Sequence, residues 1–275
     1  MININTNSLK LNKQGEVYYF TFPSFEKYDF LSHGFSTRLG GVSCGIYESM
    51  NLGFNRGDDY SNVFENYKIF SKALGVDYKN LVFGSQVHGD VIRDVTEMDK
   101  GKGIIKEKEY SDVDGLITNV PGIPLVGLFA DCVPIFYFDP VKKIIGIAHS
   151  GWRGTVLKIG EKMVKKFMEY GSSKEDILVG IGPSIGPCCF QVGEETVEEF
   201  RSLHINIENY LEKDVKDKYK INLWEINRKI LIDSGIKREN ITVTDICTMC
   251  SKDLLFSHRG SNGKRGSLAG IIGLR

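Results

Sequence analysis

The sequence has no excess of charge of either sign: its 275 residues include 35 Lys and Arg and 35 Asp and Glu, for a formal net charge of 0. A polyanion is attracted by an excess of positive charge, so we expect no nucleic-acid partner. The sequence also lacks both an apolar stretch of about 18 residues and an apolar signal core near its N-terminus. We therefore expect no membrane segment and a cytoplasmic location.

Internal repeats and low-complexity linkers are also lacking. Hydrophobic residues make up 41% of the chain and charged residues 25%, which is ordinary for a globular protein with one large core. We therefore expect a single domain over residues 1–275. The six cysteines follow no regular disulfide framework, so they are predicted to be reduced thiols that serve in metal binding, catalysis or packing.

The hydrophobic pattern predicts both strands and helices, without a strand-helix-strand rhythm in the first half of the chain. Strands are predicted at 16–22, 31–37, 81–87, 91–95, 113–118, 124–131, 143–148, 177–181 and 241–246. Helices are predicted at 61–74, along an apolar stripe from Val156 to Phe167, and at 193–203 and 222–234. The fold class expected from this order is α+β, a single domain of mixed sheets flanked by helices, ending in a glycine-rich tail.

Three potential metal ligands, His88, Cys132 and His149, each follow a predicted strand and lie beside small or turn-forming residues. Two imidazoles and one thiolate suit zinc, and three protein ligands leave a fourth position open, as in catalytic sites. Their wide separation in sequence is unlike the close ligand pairs of structural zinc sites. The residue types alone also fit a simpler interpretation, in which Cys132 packs as a small hydrophobe and the histidines form hydrogen bonds at strand ends.

Other segments offer weaker signals. The residues 151–155 before the apolar stripe could bind a phosphate or carboxylate at a helix N-terminus, with Arg153 beside it, or could simply begin a packed helix. His33 and His258 lie in segments rich in glycine and polar residues, and basic residues of the tail are possible anion contacts. His204 is expected to be exposed.

Two cysteine pairs are interpreted as packing features. The pair Cys247 and Cys250 forms one C-x-x-C without a second such motif, which is weak evidence for zinc. The adjacent residues Cys188 and Cys189 are not expected to place both thiols on one small ion. The glycine-rich segment 180–187 lacks the spacing and the following helix of a dinucleotide-binding loop, so it is predicted to be a tight turn.

Several segments together resemble the YfiH/YlmD family, whose members carry a laccase domain and were long described as multicopper polyphenol oxidases. The resemblance covers nearly the whole chain. It is carried by HGFSTRLGGVS (33–43), NLG (51–53), QVHG (86–89), DGLIT (114–118), ADCVPI (130–135), AHSGWRG (148–154), GPSIGPCCFQVG (182–193) and FSHR (256–259) with the tail to Leu274.

The resemblance implies a YfiH-like fold, similar to that of cysteine-dependent toxin deamidases, with His88, Cys132 and His149 as zinc ligands. It also implies phosphorolysis of adenosine, inosine, guanosine and methylthioadenosine, and deamination of adenosine in the same site. Purine nucleosides and phosphate are then the partners. Copper oxidation is disfavoured, because a multicopper oxidase needs more histidines than the five present.

Residue roles are predicted on this basis. Zinc lowers the pKa of water from about 15.7 to about 7, which suits attack on C6 of adenine, and Asp131 is the nearest carboxylate for proton transfer. Arg38 and Arg153 are predicted to hold phosphate, with His33 or His258 assisting and Arg259 as a further contact.

Two alternatives from other classes remain open. Cys132 and His149 could be the nucleophile and base of a cysteine hydrolase acting on peptidoglycan precursors, since the family has been linked to peptidoglycan editing. The protein could also be a noncatalytic, zinc-stabilised partner of the cell-wall machinery, in which Cys250 or His33 would close the metal site as a fourth ligand. The sequence leaves the oligomeric state undetermined.

Overall fold

A computed structural model describes residues 6–275, which form fifteen β-strands and five α-helices. The strands are β1 Lys10–Gln14, β2 Val17–Thr21, β3 Leu31–Ser36, β4 Val82–Phe83, β5 Ile92–Asp94, β6 Gly115–Thr118, β7 Leu125–Phe129, β8 Val133–Asp139, β9 Ile144–Ser150, β10 Leu178–Ile181, β11 Gln191–Gly193, β12 Leu211–Lys213, β13 Lys218–Ile221, β14 Ile241–Val243 and β15 Leu268–Leu274. The helices are α1 Tyr60–Leu74, α2 Trp152–Val156, α3 Ile159–Glu169, α4 Glu194–Arg201 and α5 Leu223–Asp233.

Two six-stranded sheets make up the centre of the fold. The first has the strand order β1-β2-β3-β15-β7-β4 and the second the order β14-β10-β8-β9-β6-β5. Most neighbouring strands are antiparallel, whereas the pairs β4–β7, β5–β6 and β10–β14 are parallel. A third, three-stranded sheet has the order β11-β13-β12. The predicted class, α+β with mixed sheets flanked by helices, is confirmed.

The two large sheets pack face to face between helical layers. Aromatic side chains such as Phe35 of the first sheet and Phe136 of the second share the buried cluster between the sheets. Tyr67 of α1 packs on the outer face of the first sheet, and Phe167 of α3 packs on the outer face of the second. Each fully buried aromatic side chain contributes about 1.5–3 kcal/mol by leaving water. Within residues 6–275, no helix is long and apolar enough to cross a membrane.

Two central strands differ from the sequence-based prediction. No strand is predicted between 124–131 and 143–148, yet β8 occupies Val133–Asp139 between β9 and β10. Pro134 opposes a strand prediction because proline cannot donate a ladder hydrogen bond, and here it is the second residue of the strand. The glycine-rich tail holds β15, a central strand of the first sheet.

Gly270 explains why a strand could form in such a tail. A Cβ built at this position would lie 2.7 Å from Phe136 Cζ and 3.0 Å from Ile147 Cδ1, both in the opposite sheet. Glycine therefore permits the close approach of the two sheets, although its conformational freedom weakens a strand considered in isolation.

Two smaller differences lie near the predicted metal ligands. The strand predicted at 81–87 is reduced to Val82–Phe83, so His88 lies in a loop rather than at a strand end. The apolar stripe after Gly154 is divided between α2 and α3 by Lys158, which has a left-handed φ of 55°.

Candidate metal centre and substrate cavity

The structure brings His88, Cys132 and His149 together from three separate segments. His88 lies in the loop between β4 and β5, Cys132 lies directly before β8, and His149 is in β9. One donor atom from each residue lies within 4.8 Å of the other two. His149 is buried, Cys132 is half-buried and His88 is exposed, so the centre opens toward solvent through the His88 side.

Strand register accounts for this convergence. In the β8–β9 hairpin, Pro134 pairs with His149, which places Cys132 beside the end of β9. On the other side of β9, Gly115 of β6 pairs with Ala148, and the His149 N–H donates to the Asp114 carbonyl at 2.8 Å. The two antiparallel neighbours of β9, strands β8 and β6, therefore place Cys132 and Asp114 beside His149.

Asp114 organises the centre, a role that its position in the sequence did not predict. Its carboxylate accepts hydrogen bonds from the backbone N–H groups of Val87, His88 and Gly89 at 3.1, 3.0 and 2.8 Å. Its Oδ1 atom also lies 2.8 Å from His149 Nδ1. His88 has a positive φ of 67°, which is uncommon for a non-glycine residue, and these hydrogen bonds hold the loop in that conformation.

The contact with Asp114 determines the orientation of the His149 ring. Because a carboxylate accepts, Nδ1–H donates to it and leaves Nε2 directed to the other members of the centre. Burial favours a raised pKa of Asp114, but the hydrogen bonds from His149 and the backbone outweigh it and lower that pKa. A carboxylate behind a ligating histidine is the usual outer-shell partner at zinc sites. The motif DGLIT marked this position, but not its function.

The side chains of the centre shift each other's pKa values. Burial alone raises the pKa of Cys132, but interactions with His149 and His88 outweigh burial and lower it. Burial alone lowers the pKa of His149, but interactions with Cys132 and Asp114 raise it. A thiolate is therefore favoured at Cys132, and the thiolate is the form in which cysteine binds metals.

The centre fits zinc in donor type and in space. Across residues 6–275, no fourth His, Cys, Asp or Glu joins the three donors, which leaves room for a non-protein ligand. A Cβ at Gly151 would lie 3.1 Å from both Cys132 Sγ and His88 Cδ2, so glycine leaves space for these side chains. The two proposed fourth ligands lie elsewhere: Cys250 is in a separate cysteine cluster and His33 is in the core.

A cavity of about 710 Å³ contains the centre, a size typical of small-molecule sites. His88, Asp131, Cys132 and His149 line it. Its aromatic lining residues are Phe54, Tyr60, Phe83, Phe129, Trp152 and Phe190. The cavity thus combines a metal-binding centre with flat apolar surfaces.

Cationic side chains also meet in this cavity. Arg56 Nε and Arg265 Nη1 both donate to Ser267 Oγ, at 3.4 and 2.9 Å. Arg265 is buried, its Nε has no hydrogen-bond partner, and within residues 6–275 neither arginine takes part in an ion pair. Burial and the charge of Arg56 lower the pKa of Arg265 to about 10. Buried charges are normally paired, so this arrangement favours an anionic ligand.

The predicted residues His258 and Arg259 line the same cavity. The Arg259 guanidinium donates to the Gln191 carbonyl at 3.0 Å, and its backbone N–H donates to Asp131 Oδ2 at 2.6 Å. Burial, followed by the charge of Arg265, lowers the pKa of His258. Both effects favour the neutral form of the imidazole.

Asp131 lines the cavity, but both of its carboxylate oxygens are engaged. Thr248 Oγ1 donates to Oδ1 at 2.6 Å, and the Arg259 backbone N–H donates to Oδ2. Asp131 also has a positive φ of 87°. Through these hydrogen bonds, Asp131 connects the segment after β14 to the start of β8.

Three other predicted residues lie outside the cavity lining. His33 is buried in β3, where its Nε2 accepts the Phe22 N–H at 2.9 Å, and it borders a different cavity of about 570 Å³. Arg38 donates to the carbonyls of Glu48 and Lys252 at 2.8 and 2.9 Å. Arg153 is exposed and stacks on Trp152, with Cζ 4.3 Å from the ring. The structure does not bring these three residues to the metal centre, because each is committed to packing, to backbone carbonyls or to the surface.

The fold is an α+β sandwich, and its cationic cavity contains an open His-Cys-His centre. Comparison with known proteins identifies the family to which such a protein belongs. Residues 32–275 match the family model described as multi-copper polyphenol oxidoreductase laccase. The chain belongs to this family, the YfiH/YlmD family, as its motifs predicted.

Two relatives and one solved structure illustrate the similarity. The chain is 38% identical over 247 residues to purine nucleoside phosphorylase YlmD of Bacillus subtilis, with 88% of each chain covered. It is 33% identical over 242 residues to adenosine deaminase RL5 of an unknown prokaryotic organism, with 85% of this chain and 92% of that protein covered. The crystal structure of Bacillus licheniformis hypothetical protein YfiH superimposes with a TM-score of 0.91 and 34% identity, covering 98% and 100% of the two chains.

Proposed function

We propose that this protein is a zinc-dependent purine nucleoside enzyme. It would cleave adenosine, inosine and guanosine with phosphate to base and ribose 1-phosphate, and methylthioadenosine to adenine and the corresponding methylthioribose 1-phosphate. In the same site it would deaminate adenosine to inosine. The observation that carries this proposal is the presence of the His-Cys-His centre and of a buried arginine without a carboxylate partner, Arg265, in one cavity. The names of the relatives as purine nucleoside phosphorylase and adenosine deaminase support it.

His88, Cys132 and His149 would hold the zinc ion, with Asp114 orienting His149 behind it. Zinc at such a centre supplies Lewis acidity, which lowers the pKa of water to about 7 and suits hydrolytic deamination. The protein's part is to keep Cys132 as a thiolate and to hold the strained His88 loop through Asp114.

Arg56 and Arg265 would bind phosphate. Both guanidinium groups reach Ser267 Oγ, and an oxyanion between them would relieve their mutual repulsion. Arg259, fixed by its contact with Gln191, lines the same cavity and adds positive charge. Phosphorolysis needs an anion held close to the ribose C1′ in a site that excludes water, and a buried, preorganised arginine is suited to that task.

The purine ring would lie against the aromatic lining of the cavity, where stacking on Trp152 or Phe190 offers apolar contact. We assign proton transfer near the base to His258 rather than to Asp131. The His258 imidazole lines the cavity and its environment favours the neutral form, whereas both Asp131 oxygens already accept hydrogen bonds. Asp131 would then be a positioning residue for the segment that carries His258.

The test is to incubate zinc-quantified protein with adenosine, with and without phosphate, and to separate the products. Adenine formed only with phosphate, and inosine formed in both samples, are the expected results. Inosine, guanosine and methylthioadenosine with phosphate test the substrate range. The control variant Cys44→Ser should give the same products as the wild type, because Cys44 is an exposed thiol outside the cavity lining. Absence of both products from zinc-loaded protein would refute the proposal.

One observation favours a second candidate function. Asp114, His149 and Cys132 form a carboxylate-imidazole-thiol series that also suits a cysteine hydrolase acting on peptidoglycan precursors. The convergence of His88 on the same thiol favours metal binding instead, because a hydrolase triad does not need a second imidazole. The two functions differ in their response to chelation: removing zinc should abolish nucleoside turnover, whereas it should free Cys132 for hydrolysis. A noncatalytic zinc-stabilised role would require a closed site, and three protein donors leave this one open.

A further inference from the structure

Four of the six cysteines lie together away from the nucleoside cavity. Cys188, Cys189, Cys247 and Cys250 place their Sγ atoms within 4.8 Å of one another. None of the four lines the cavity that contains Cys132. The sequence interpretation of these residues as packing or turn features was therefore incomplete, because it did not bring the two pairs into contact.

The geometry of the four thiols matches one tetrahedral ion. With Zn–S distances of about 2.3 Å, tetrahedral geometry separates the sulfur atoms by about 3.8 Å. Here the Cys250 Sγ atom lies 3.5 Å from both Cys188 Sγ and Cys189 Sγ. Because its distances to the two are equal, Cys250 has no preferred disulfide partner. A shared ion accounts for the symmetric arrangement better than a single disulfide bond.

The local backbone explains how adjacent cysteines reach one point. The N–H groups of Cys189 and Phe190 both donate to the Gly186 carbonyl, at 3.0 and 2.9 Å, which closes a tight turn. On the other segment, the Ser251 N–H donates to the Cys247 carbonyl at 3.0 Å, forming the turn that brings Cys250 back to Cys247.

The two turns are joined beside the sulfur atoms. The Thr248 N–H donates to the Ser184 carbonyl at 3.0 Å, and the Gly186 N–H donates to Cys247 Sγ at 3.2 Å. Backbone N–H donors to a cysteine sulfur stabilise the thiolate form that a metal requires. The sulfur donor set, the short S–S separations and this N–H contact therefore all favour a cation.

We propose that Cys188, Cys189, Cys247 and Cys250 form a second, structural zinc site. All four coordination positions are filled by thiolates, so the site has no open position for substrate. It would link the turn after β10 to the segment after β14. Both segments lead into the nucleoside cavity: Phe190 follows Cys189, and His258 and Arg259 follow Cys250. The ion would stabilise two segments that line the cavity.

The experiment is metal quantification by mass spectrometry on purified protein that has been loaded with zinc and passed over a weak chelator. The wild type and a Cys44→Ser control should each retain about two zinc ions per chain. The double variant Cys247→Ser/Cys250→Ser should retain about one, and Cys132→Ser should also retain about one. Each of these two variants would then keep one ion, bound at a different site.

Cobalt substitution identifies the ion that remains. Four thiolates give stronger thiolate-to-cobalt charge-transfer absorption than one, so most of this absorption should persist in Cys132→Ser and disappear in the double variant. If the double variant does not fold, the strength of the thiolate-to-cobalt absorption in the wild-type spectrum tests the site instead. A titration of thiols in denaturant without reductant should find six free thiols, since all six cysteines are free in the structure.

Several results would overturn the structural zinc site. One is a single ion in the wild type that is lost in Cys132→Ser and kept in the double variant. Another is a wild-type thiol titration showing a disulfide within the cluster. A single ion lost in the double variant and kept in Cys132→Ser would instead support this site and refute the metal centre at Cys132.

Discussion

Replacing Asp114 by Asn tests the organisation of the metal centre with almost no change in volume. Oδ1 accepts from the His88 N–H and His149 Nδ1, while Oδ2 accepts from Val87 and Gly89 N–H. An amide has one oxygen and one NH₂ group. Whichever way it is turned, the NH₂ group faces two groups that donate in the wild type.

The magnitude follows from these lost hydrogen bonds. Each partly buried donor left without an acceptor costs about 1 kcal/mol or more, so the free energy of unfolding should fall by about 2 kcal/mol. Loss of the carboxylate behind His149 should weaken zinc binding by about 10- to 100-fold. Because the folded-state pKa of Asp114 is lowered, its contribution is present above about pH 4 and is lost as pH falls further.

The assay combines zinc competition against a chromophoric chelator with urea unfolding of the metal-free protein. Unfolding without metal measures the effect of the lost backbone hydrogen bonds on stability, separately from the effect of weaker zinc binding. Asp112→Asn is the matched control, because Asp112 is a nearby exposed carboxylate that contacts Ser111 rather than the centre. Wild-type zinc affinity and wild-type stability in Asp114→Asn would show that Asp114 does not organise the centre.

Three further changes test other parts of the structure. Gly151→Ala places a methyl group 3.1 Å from Cys132 Sγ and should lower zinc affinity about tenfold in the same competition assay, with the metal-free melting temperature unchanged. Unchanged affinity would contradict the close fit. Arg265→Met removes a buried cation without a carboxylate partner and should raise KM for phosphate about tenfold in phosphorolysis without lowering stability. Lower stability with an unchanged KM would indicate a structural role. Asp99→Asn should lower the free energy of unfolding by about 2 kcal/mol at pH 7, because the native pKa of this buried carboxyl is about 2. Since that pKa is lowered, the difference should shrink as pH falls below about 4, and a difference independent of pH in urea unfolding would contradict the assignment.

The positions of three helices could be predicted from the local sequence pattern. Apolar spacing predicted 61–74, 193–203 and 222–234, and the structure has Tyr60–Leu74, Glu194–Arg201 and Leu223–Asp233. An amphipathic helix carries its packing face in its own sequence, so distant residues are not needed to predict it. Strand β15 differs in this respect, because Gly270 suits a strand only where the opposite sheet approaches closely.

The same distinction applies to the arginines. Arg38 and Arg153 stood out because they lie in glycine-rich motifs, yet the structure commits them to backbone carbonyls and to Trp152. Arg56 and Arg265 are far apart in sequence and carry no local signal that distinguishes them. They meet at Ser267 only because the short 3-10 helix Phe54–Arg56 and the residues just before β15 are neighbours in the fold.

The sequence by itself determined the α+β class, the family and the three candidate ligands, because residue type and short-range spacing carry that information. Tertiary structure alone decided which distant groups share a site. Pairing of β9 with β6 placed Asp114 behind His149, and the approach of two turns collected the four cysteines. Side-chain chemistry is local to a residue, whereas a binding site depends on distances that strand register and sheet packing establish.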